Sequence, residues 1–251
     1  MQNVSQPSFP KLLREAVKAW WQDEVRTHGA GHTSILLASH LWEFLRDCTP
    51  ERRRSRYGDM EYDWNHRVNT TSGGVGWRER LLGVFLSAYQ PTDPAAFQEM
   101  MDALPIDFRD YTFIDLGSGK GRTLLMASEY PFRRIVGVEL IPHLHQIALE
   151  NLSLYQRASQ QCFALEAVCG DARDFPFPED PLVLYLFNPL PESGLRVVAR
   201  RLEESLIAHP RPVYLLYHNA VLDNVVRESG MLTRVTGTPQ FSVYASLRGA
   251  G

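Results

Sequence analysis

The stretch FIDLGSGKGR, residues 113–122, decides the fold of the chain. An apolar run reaches Asp115, three glycines follow at alternate positions (Gly117, Gly119 and Gly121), and a helix-prone segment comes next. This order is typical of a strand, a tight turn and the start of a helix. Glycine in such a turn can adopt positive φ, and it lets a ligand approach the backbone closely. The stretch therefore predicts a binding site for a small polar ligand.

Strands and helices alternate regularly from this stretch to the end of the chain. Seven segments are predicted as strands: 112–116, 135–140, 163–172, the start of 182–191, 213–219, 231–236 and 241–247. Helical segments separate most of them, at 142–158, 192–208 and 221–229. The alternation predicts an α/β fold with a doubly wound, mainly parallel seven-stranded sheet. The last two strands are joined by a short turn, so they form a terminal hairpin that adds an antiparallel strand.

Apolar residues at helical spacing predict two helices near the amino end, at 8–28 and 33–45. They belong to an N-terminal helical extension, residues 1–60, which either forms a lid or covers a sheet edge. Residues 61–251 form the main domain. Within it, residues 62–77 are rich in aromatic, Asn, His, Thr and Gly residues and are predicted as a loop. This loop either carries binding residues or links the two regions.

Composition limits the classes of function. The formal net charge of −3 gives no global basic field for nucleic acid, so a nucleic-acid partner is less favoured. No secretory signal and no run of about 18 uncharged apolar residues is found, which favours a cytoplasmic protein without a membrane partner. The three cysteines, Cys48, Cys162 and Cys169, lack paired metal-ligand spacing. His143 and His145 are two apart on a predicted helix and face different directions, so no metal is predicted.

Polar or glycine-rich residues follow four of the predicted strands. They are Asp115 with its glycine loop, Glu139 with Leu140, Asp171 with Ala172, and Asn188 with Pro189. In a doubly wound sheet, ligands bind outside the carboxyl ends of the strands. A carboxylate at Glu139 suits ribose hydroxyls, and Asp171 with the Ala172 backbone suits an adenine. The alternative is that each acid only caps the helix that follows it. Together the four ends predict one nucleoside-sized ligand.

Glycine spacing separates the candidate ligands. A dinucleotide fingerprint is G-x-G-x-x-G, with pyrophosphate on the helix start, whereas this chain has G-S-G-K-G after Asp115. A phosphate loop of the form G-x-x-x-x-G-K-[ST] is also absent from the sequence, because Arg122 follows Gly121.

Over about residues 90–247 the sequence resembles the Rossmann-type (class I) S-adenosylmethionine-dependent methyltransferases. Their Asp-x-Gly-x-Gly-x-Gly motif matches Asp115, Gly117, Gly119 and Gly121, with Ser118 inside it. The resemblance implies S-adenosylmethionine as cofactor, with Glu139 and the adjoining Leu140 at the ribose and Asp171 and Ala172 at the adenine. The layout of Pro91, Thr92 and the two first strands is also similar to lysine methyltransferases of this fold.

The fourth strand end, FNPLP, resembles the Asn-Pro-Pro-aromatic motif of family members that methylate amide or amino nitrogen. By this resemblance Asn188 and Pro189 orient the acceptor, and Asn188 also borders the cofactor. Leu190 and Pro191 depart from the motif, which puts an aromatic wall in doubt. The alternative is that Asn188 and Pro189 only turn the chain.

Methyl transfer needs a general base only if the acceptor arrives protonated. The candidates for this base are Tyr62, Asp63, His66 and His218. Of these, Tyr62 and His66 are predicted to be catalytic residues of the site. A histidine at a strand end, such as His218, is more often structural.

The expected function is methylation of an amine or amide nitrogen on a protein lysine or a small molecule. The alternatives are a nucleotide-dependent oxidoreductase and a non-catalytic module that binds S-adenosylmethionine. Oligomeric state is left open, and the Trp-rich amino-terminal helices are a candidate homodimer surface.

Overall fold

A computed structural model describes residues 8–47, 60–72, 75–85 and 89–246 of the protein. The chain divides into two compact units, Met1–Pro91 and Thr92–Gly251. The predicted boundary at residue 60 lies within the first unit. The assignment of residues 61–251 to one functional domain stays a prediction.

The helices of the described ranges are numbered in chain order: α1 Phe9–His28, α2 Ala30–Asp47, α3 Met60–His66, α4 Trp77–Phe85, α5 Pro94–Asp102, α6 Arg122–Ala127, α7 Pro142–Leu154, α8 Glu192–Ala208 and α9 Asp223–Arg227. The strands are β1 Thr112–Leu116, β2 Arg134–Glu139, β3 Leu165–Cys169, β4 Leu182–Leu186, β5 Val213–His218, β6 Leu232–Gly237 and β7 Phe241–Ser246.

The first unit is helical in its described part. Helices α1 and α2 are separated only by Gly29, whose φ of 80° lets the chain reverse within one residue. The second helix therefore begins at Ala30, three residues before its predicted start at residue 33. Buried Trp20 of α1 packs edge-on against Phe85 of α4, with ring centroids 5.6 Å apart. These aromatic contacts give the unit its own core.

Part of the predicted loop at 62–77 is helical, because α3 covers its first residues. The Asp63 carboxylate accepts hydrogen bonds from the backbone N–H groups of Thr70 and Thr71, at 2.7 and 2.8 Å. These bonds turn the chain back after α3. Residues 73–74 of the same stretch, like residues 1–7 and 48–59 of the predicted extension, lie outside the described residues.

The second unit contains a seven-stranded sheet in the order β3-β2-β1-β4-β5-β7-β6. The first five strands in this order are parallel, and β7 is antiparallel to both β5 and β6. The predicted doubly wound, mainly parallel sheet with a terminal antiparallel hairpin is confirmed. The strand order reverses between β1 and β4, and the carboxyl edge at that point is where such sheets bind ligands.

Central strands β1 and β4 are buried along their whole length, which explains their continuous apolar runs. Two predicted elements are shorter than expected. Helix α7 ends at Leu154, because Tyr155 is buried and donates its hydroxyl to Glu129 at 2.9 Å. Strand β3 pairs with β2 only over Leu165–Cys169.

Candidate ligand site at the carboxyl edge of the sheet

The glycine loop after β1 adopts the conformation that its spacing predicted. Gly117, Gly119 and Gly121 have φ values of 93°, 54° and 82°, a region that side chains disfavour. The loop is anchored on β2, since the N–H groups of Gly117 and Ser118 both donate to the Val138 carbonyl, at 2.8 and 3.0 Å. The peptide of the loop is therefore held at a fixed position beside the end of β2.

Gly117 is also the point where the loop meets the segment after β4. A Cβ atom at Gly117 would overlap the ring of Pro189. Because Gly117 is exposed on its other side, the backbone is open to a ligand where the two segments meet. The structure thus brings Gly117 and Pro189 together, as expected for residues of one site.

Glu139 at the end of β2 fixes the loop from below. Its side chain is 6% exposed, and its two carboxylate oxygens accept from the N–H groups of Gly119 (2.8 Å) and Ile141 (2.7 Å). A carboxylate has about four lone-pair positions, so these two bonds leave acceptor capacity for ligand hydroxyls. Burial raises the pKa of Glu139 to about 7, while its backbone hydrogen bonds act in the opposite direction.

Asp115 at the end of β1 is a second buried acid beside this loop. It is 2% exposed and accepts a hydrogen bond from the Thr123 hydroxyl of α6. Burial raises the pKa of Asp115 to about 7; the bond from Thr123 lowers it, and the charge of Glu139 raises it. The two acids are therefore only partly ionised at neutral pH, and a nearby cation would draw both toward the ionised form.

The next strand end places Asp171 and Ala172 in different surroundings. The Asp171 carboxylate accepts from the Arg173 backbone N–H at 2.8 Å and pairs with the Arg173 guanidinium, with the shorter contact at 2.5 Å. Ala172 is buried in the apolar core between the sheet and its helices. The Asp171 carboxylate is thus paired with the Arg173 side chain, which the sequence pattern did not predict.

Asn188 follows β4 with a φ of 45°, and both polar ends of its side chain are engaged. Its Nδ2 donates to the Asn219 carbonyl at 2.6 Å, and its Oδ1 accepts from the Tyr217 hydroxyl at 2.9 Å. These bonds tie the end of β4 to the end of β5. The Asn188 amide therefore links the ends of two strands by hydrogen bonds. One lone pair of Oδ1 is left for a further donor.

His218, which ends β5 and was expected to be structural, belongs to a second polar cluster. Tyr185 hydroxyl oxygen is 2.7 Å from Thr92 Oγ1 and 2.8 Å from His218 Nδ1. The His218 ring is stacked on Phe187, with centroids 4.1 Å apart and the planes inclined by 25°. Tyr185 in β4 and Phe187 just after it stand at alternate positions beside a histidine that ends β5, and this is the sequence signal that could have pointed to the cluster.

Tyr62 and His66 lie in the first unit, on α3, and are described there by themselves. Their rings stack with centroids 4.0 Å apart, and His66 Nδ1 lies 2.7 Å from the Tyr62 carbonyl oxygen, to which it can only donate. Their role as acceptor-side residues stays a prediction.

The site has the donor and acceptor chemistry of a nucleoside site with a positive centre. Open backbone at Gly117 and buried acids at Asp115 and Glu139 suit a ligand with hydroxyls and a cationic group. Asp115 opposes a pyrophosphate, which would bring two negative charges beside the glycine loop. The residues present therefore fit an adenosyl sulfonium.

Within the described ranges, no group of three or more His, Cys, Asp or Glu side chains is placed to hold a metal ion. In the same part of the chain, no helix combines the length and the apolar character needed to cross a membrane.

No protein-family model matches the chain, and no curated protein matches it. Solved structures that it resembles include an RNA methyltransferase from Salinibacter ruber in complex with S-adenosyl-L-homocysteine, at 21% identity and a TM-score of 0.43, covering 64% of this chain and 95% of that one. An rRNA methylase from Streptococcus thermophilus matches at 11% identity and a TM-score of 0.41, over 62% of this chain and 98% of the other.

A SAM-dependent methyltransferase from Leishmania major matches at 12% identity and a TM-score of 0.43, over 61% of this chain and 70% of that one. At these identities and TM-scores, the comparisons do not identify the donor or the acceptor of this chain.

Proposed function

We propose that the protein is an S-adenosylmethionine-dependent methyltransferase. One observation carries the proposal: two buried acids, Asp115 and Glu139, lie beside a glycine loop of positive φ at the point where the strand order reverses. Each acid contacts the loop or the helix that follows it. The loop leaves room for a ligand, and the acids set the charge that the ligand should carry.

Electrostatics favours a sulfonium over a phosphate at this edge. A unit charge a few ångströms from a buried carboxylate gains or loses on the order of 4 kcal/mol at an effective dielectric of 20. Asp115 and Glu139 would therefore attract the positive sulfur and amino group of S-adenosylmethionine. Asp115 beside the glycine loop is unfavourable for the pyrophosphate of a dinucleotide, which argues against an oxidoreductase, whereas a ribose-binding acid such as Glu139 is common to both classes of site.

The residues of the four strand ends would share the binding of this cofactor. Glu139, next to Leu140, would accept the ribose hydroxyls, and Asp171 with Ala172 would bound the adenine. The loop residues Gly117, Ser118, Gly119 and Gly121 would pass beneath the amino-acid portion, with Asn188 at the far border. When bound, the cofactor supplies an electrophilic methyl group on a sulfur that leaves as a neutral thioether. The chain then has mainly to position the acceptor.

The acceptor is proposed to be an amine or amide nitrogen of a protein or small molecule. The formal net charge of −3 offers little general attraction for nucleic acid. A non-catalytic module is the second candidate, and the engaged Asn188 amide favours it, since the expected acceptor-orienting group already serves the fold.

The test is transfer of labelled methyl from S-adenosyl-[methyl-³H]methionine into separate protein, RNA and small-molecule extracts. Wild-type protein should label one pool. Asp115→Asn should reduce the rate at least about tenfold by weakening cofactor binding, whereas Asp110→Asn, the same change at an exposed position, should not. Absence of label in every pool, together with tight S-adenosylhomocysteine binding, would instead support the non-catalytic module.

A further inference from the structure

Four side chains share one face of the sheet at its carboxyl edge. Asp115 of β1 is in register with Tyr185 of β4, and Tyr185 is in register with Leu216 of β5. Because side chains alternate along a strand, Phe187 and His218 lie two residues further on the same face. His218 is thus two strands from Asp115, about 10 Å across the sheet, on the side that carries the buried acid.

Asn188 belongs to the opposite face. Its amide contacts the hydroxyl of Tyr217, and Tyr217 packs with Ile114 and Leu116 in the core cluster of that face. The alternation therefore separates Asn188 from Asp115 and brings His218 to the side of Asp115. A group that acts on an acceptor beside the buried acids is better placed at His218.

The His218 ring is held in a fixed orientation. Phe187 stacks against it, and Tyr185 contacts Nδ1 while also contacting Thr92. Within the described part of the chain, Nε2 of His218 makes no hydrogen bond to another residue. One ring nitrogen is therefore tied to the fold, and the other is available to a ligand.

The surroundings of His218 favour the uncharged form of its imidazole ring. Burial lowers its pKa, and Asp93 before α5 opposes that change. Burial also raises the pKa of Tyr185 well above its ordinary value, with the bond to Thr92 opposing and the charge of Asp115 adding to the rise. Tyr185 therefore stays protonated. If Tyr185 donates to Thr92 and accepts from Nδ1–H, His218 Nε2 carries a free lone pair.

We infer that His218 is the acceptor-side base of the proposed methyl transfer, oriented by Tyr185, Thr92 and Phe187. This inference rests on the proposed function. The acceptor's nucleophile forms a bond to the methyl carbon as the carbon–sulfur bond breaks, the sulfur keeps that electron pair, and the acceptor's proton moves to His218 Nε2. Charge is conserved, since the sulfonium becomes neutral and His218 becomes imidazolium.

This assignment narrows the acceptor class. A base with a lowered histidine pKa is poorly matched to an alkylammonium, whose ordinary pKa is about 10.4. It is well matched to a neutral O–H or N–H group whose acidity rises as the new bond forms. The acceptor is therefore a group that enters the site uncharged, rather than a protonated lysine side chain.

The first test needs no acceptor. Histidine ring nitrogens labelled with ¹⁵N report the pKa and tautomer of His218 by NMR in complexes with S-adenosylmethionine and with S-adenosylhomocysteine. The two ligands differ by one methyl and one positive charge, so a ring that faces the methyl should have its pKa lowered by about one unit more in the first complex. His145, whose Nε2 lies 3.2 Å from the Ala167 carbonyl, is the internal control. Equal His218 pKa values in the two complexes would overturn the inference.

The second test compares His218→Gln with His145→Gln in the labelled transfer assay. His218→Gln should lower the rate at least about 100-fold and leave the S-adenosylhomocysteine affinity within about twofold, while His145→Gln should retain the rate. Tyr185→Phe retains His218 but removes the hydroxyl that orients it, so it should lower the rate less than His218→Gln does. A normal rate in His218→Gln would overturn the assignment of His218 as the base and would leave the proposed function standing. Failure of the wild type to bind either cofactor would instead overturn the proposed function.

Discussion

The two halves of the carboxyl edge are built differently. At β1 and β2, Asp115 and Glu139 are fixed by their immediate surroundings, chiefly backbone N–H groups and the first turn of α6. At β4 and β5, Asn188 and His218 are fixed by side chains about 30 residues away in sequence, Tyr217 and Tyr185. The first half therefore depends mainly on backbone groups of the glycine loop and the neighbouring strand end, and the second on contacts between side chains.

This difference predicts different sensitivities. The loop half should tolerate changes of backbone conformation least, because its hydrogen bonds come from peptides at positive φ. The β4–β5 half should tolerate changes of side-chain chemistry least, because hydroxyl and amide groups hold it together. The following changes test that contrast.

Gly117→Ala should have the largest effect. Alanine disfavours a φ of 93° by about 1 kcal/mol, and its Cβ would overlap Pro189, so the loop has to move. We expect the affinity for S-adenosylhomocysteine, measured by calorimetry, to fall at least about 100-fold. Gly230→Ala is the matched control, because a Cβ there meets no atom within 4 Å. Unchanged affinity in Gly117→Ala would show that the loop is not a binding element.

Asp115→Asn should change the pH dependence of stability. The folded-state pKa of Asp115, about 7, lies above its ordinary 3.8, so its favourable contribution is present below about pH 4 and is lost as the pH rises through 7. In the ligand-free protein, Asp115→Asn should thus be more stable than wild type at pH 8, by roughly 2–4 kcal/mol, and similar at about pH 4. Urea unfolding at both pH values measures this. If the free energy of unfolding changed with pH equally in the two proteins, the result would contradict a buried, titrating Asp115.

Asn188→Ala should destabilise the ligand-free protein by about 1–3 kcal/mol, because the Tyr217 hydroxyl and the Asn219 carbonyl lose their partner. Asn188→Gly separates the backbone contribution, since glycine suits the φ of 45°. Tyr217→Phe breaks one of the same bonds, so the double variant should lose less than the sum of the single losses. Additive losses of stability would argue against a shared hydrogen bond between Asn188 and Tyr217.

Asp171→Asn should have the smallest effect. If the carboxylate accepts from the adenine amine, the change should weaken S-adenosylhomocysteine binding about three- to tenfold. It should affect S-inosylhomocysteine, which lacks that amine, much less. Arg173→Gln is the control for the ion pair, because it removes the cation and leaves the carboxylate. Equal losses for both ligands would mean that Asp171 serves only the fold.

The loop half could be predicted from the sequence because its information is local. The spacing of Gly117, Gly119 and Gly121 after Asp115 specifies strand, turn and helix, and the structure confirms both the turn and the sheet around it. Glu139 could be placed as the end of the next strand, because parallel strands carry their ends to one edge.

The other half could not be predicted in the same way. The partner of Asn188 depends on which face its side chain takes at its own positive φ, and no local pattern specifies that. His218 gained its neighbours only when three segments came together, namely that of Thr92, that of Tyr185 and Phe187, and that of His218 itself. The pairing of Asp171 with Arg173 was likewise a choice between two uses of one carboxylate.

The central claim, that this edge accepts an adenosyl sulfonium, is tested most directly by calorimetric titration of the wild type with S-adenosylmethionine and with NAD at pH 7.5. S-adenosylmethionine is predicted to bind at one site per chain, and NAD to give no binding heat at millimolar concentration. Tight NAD binding with no response to S-adenosylmethionine would contradict the account.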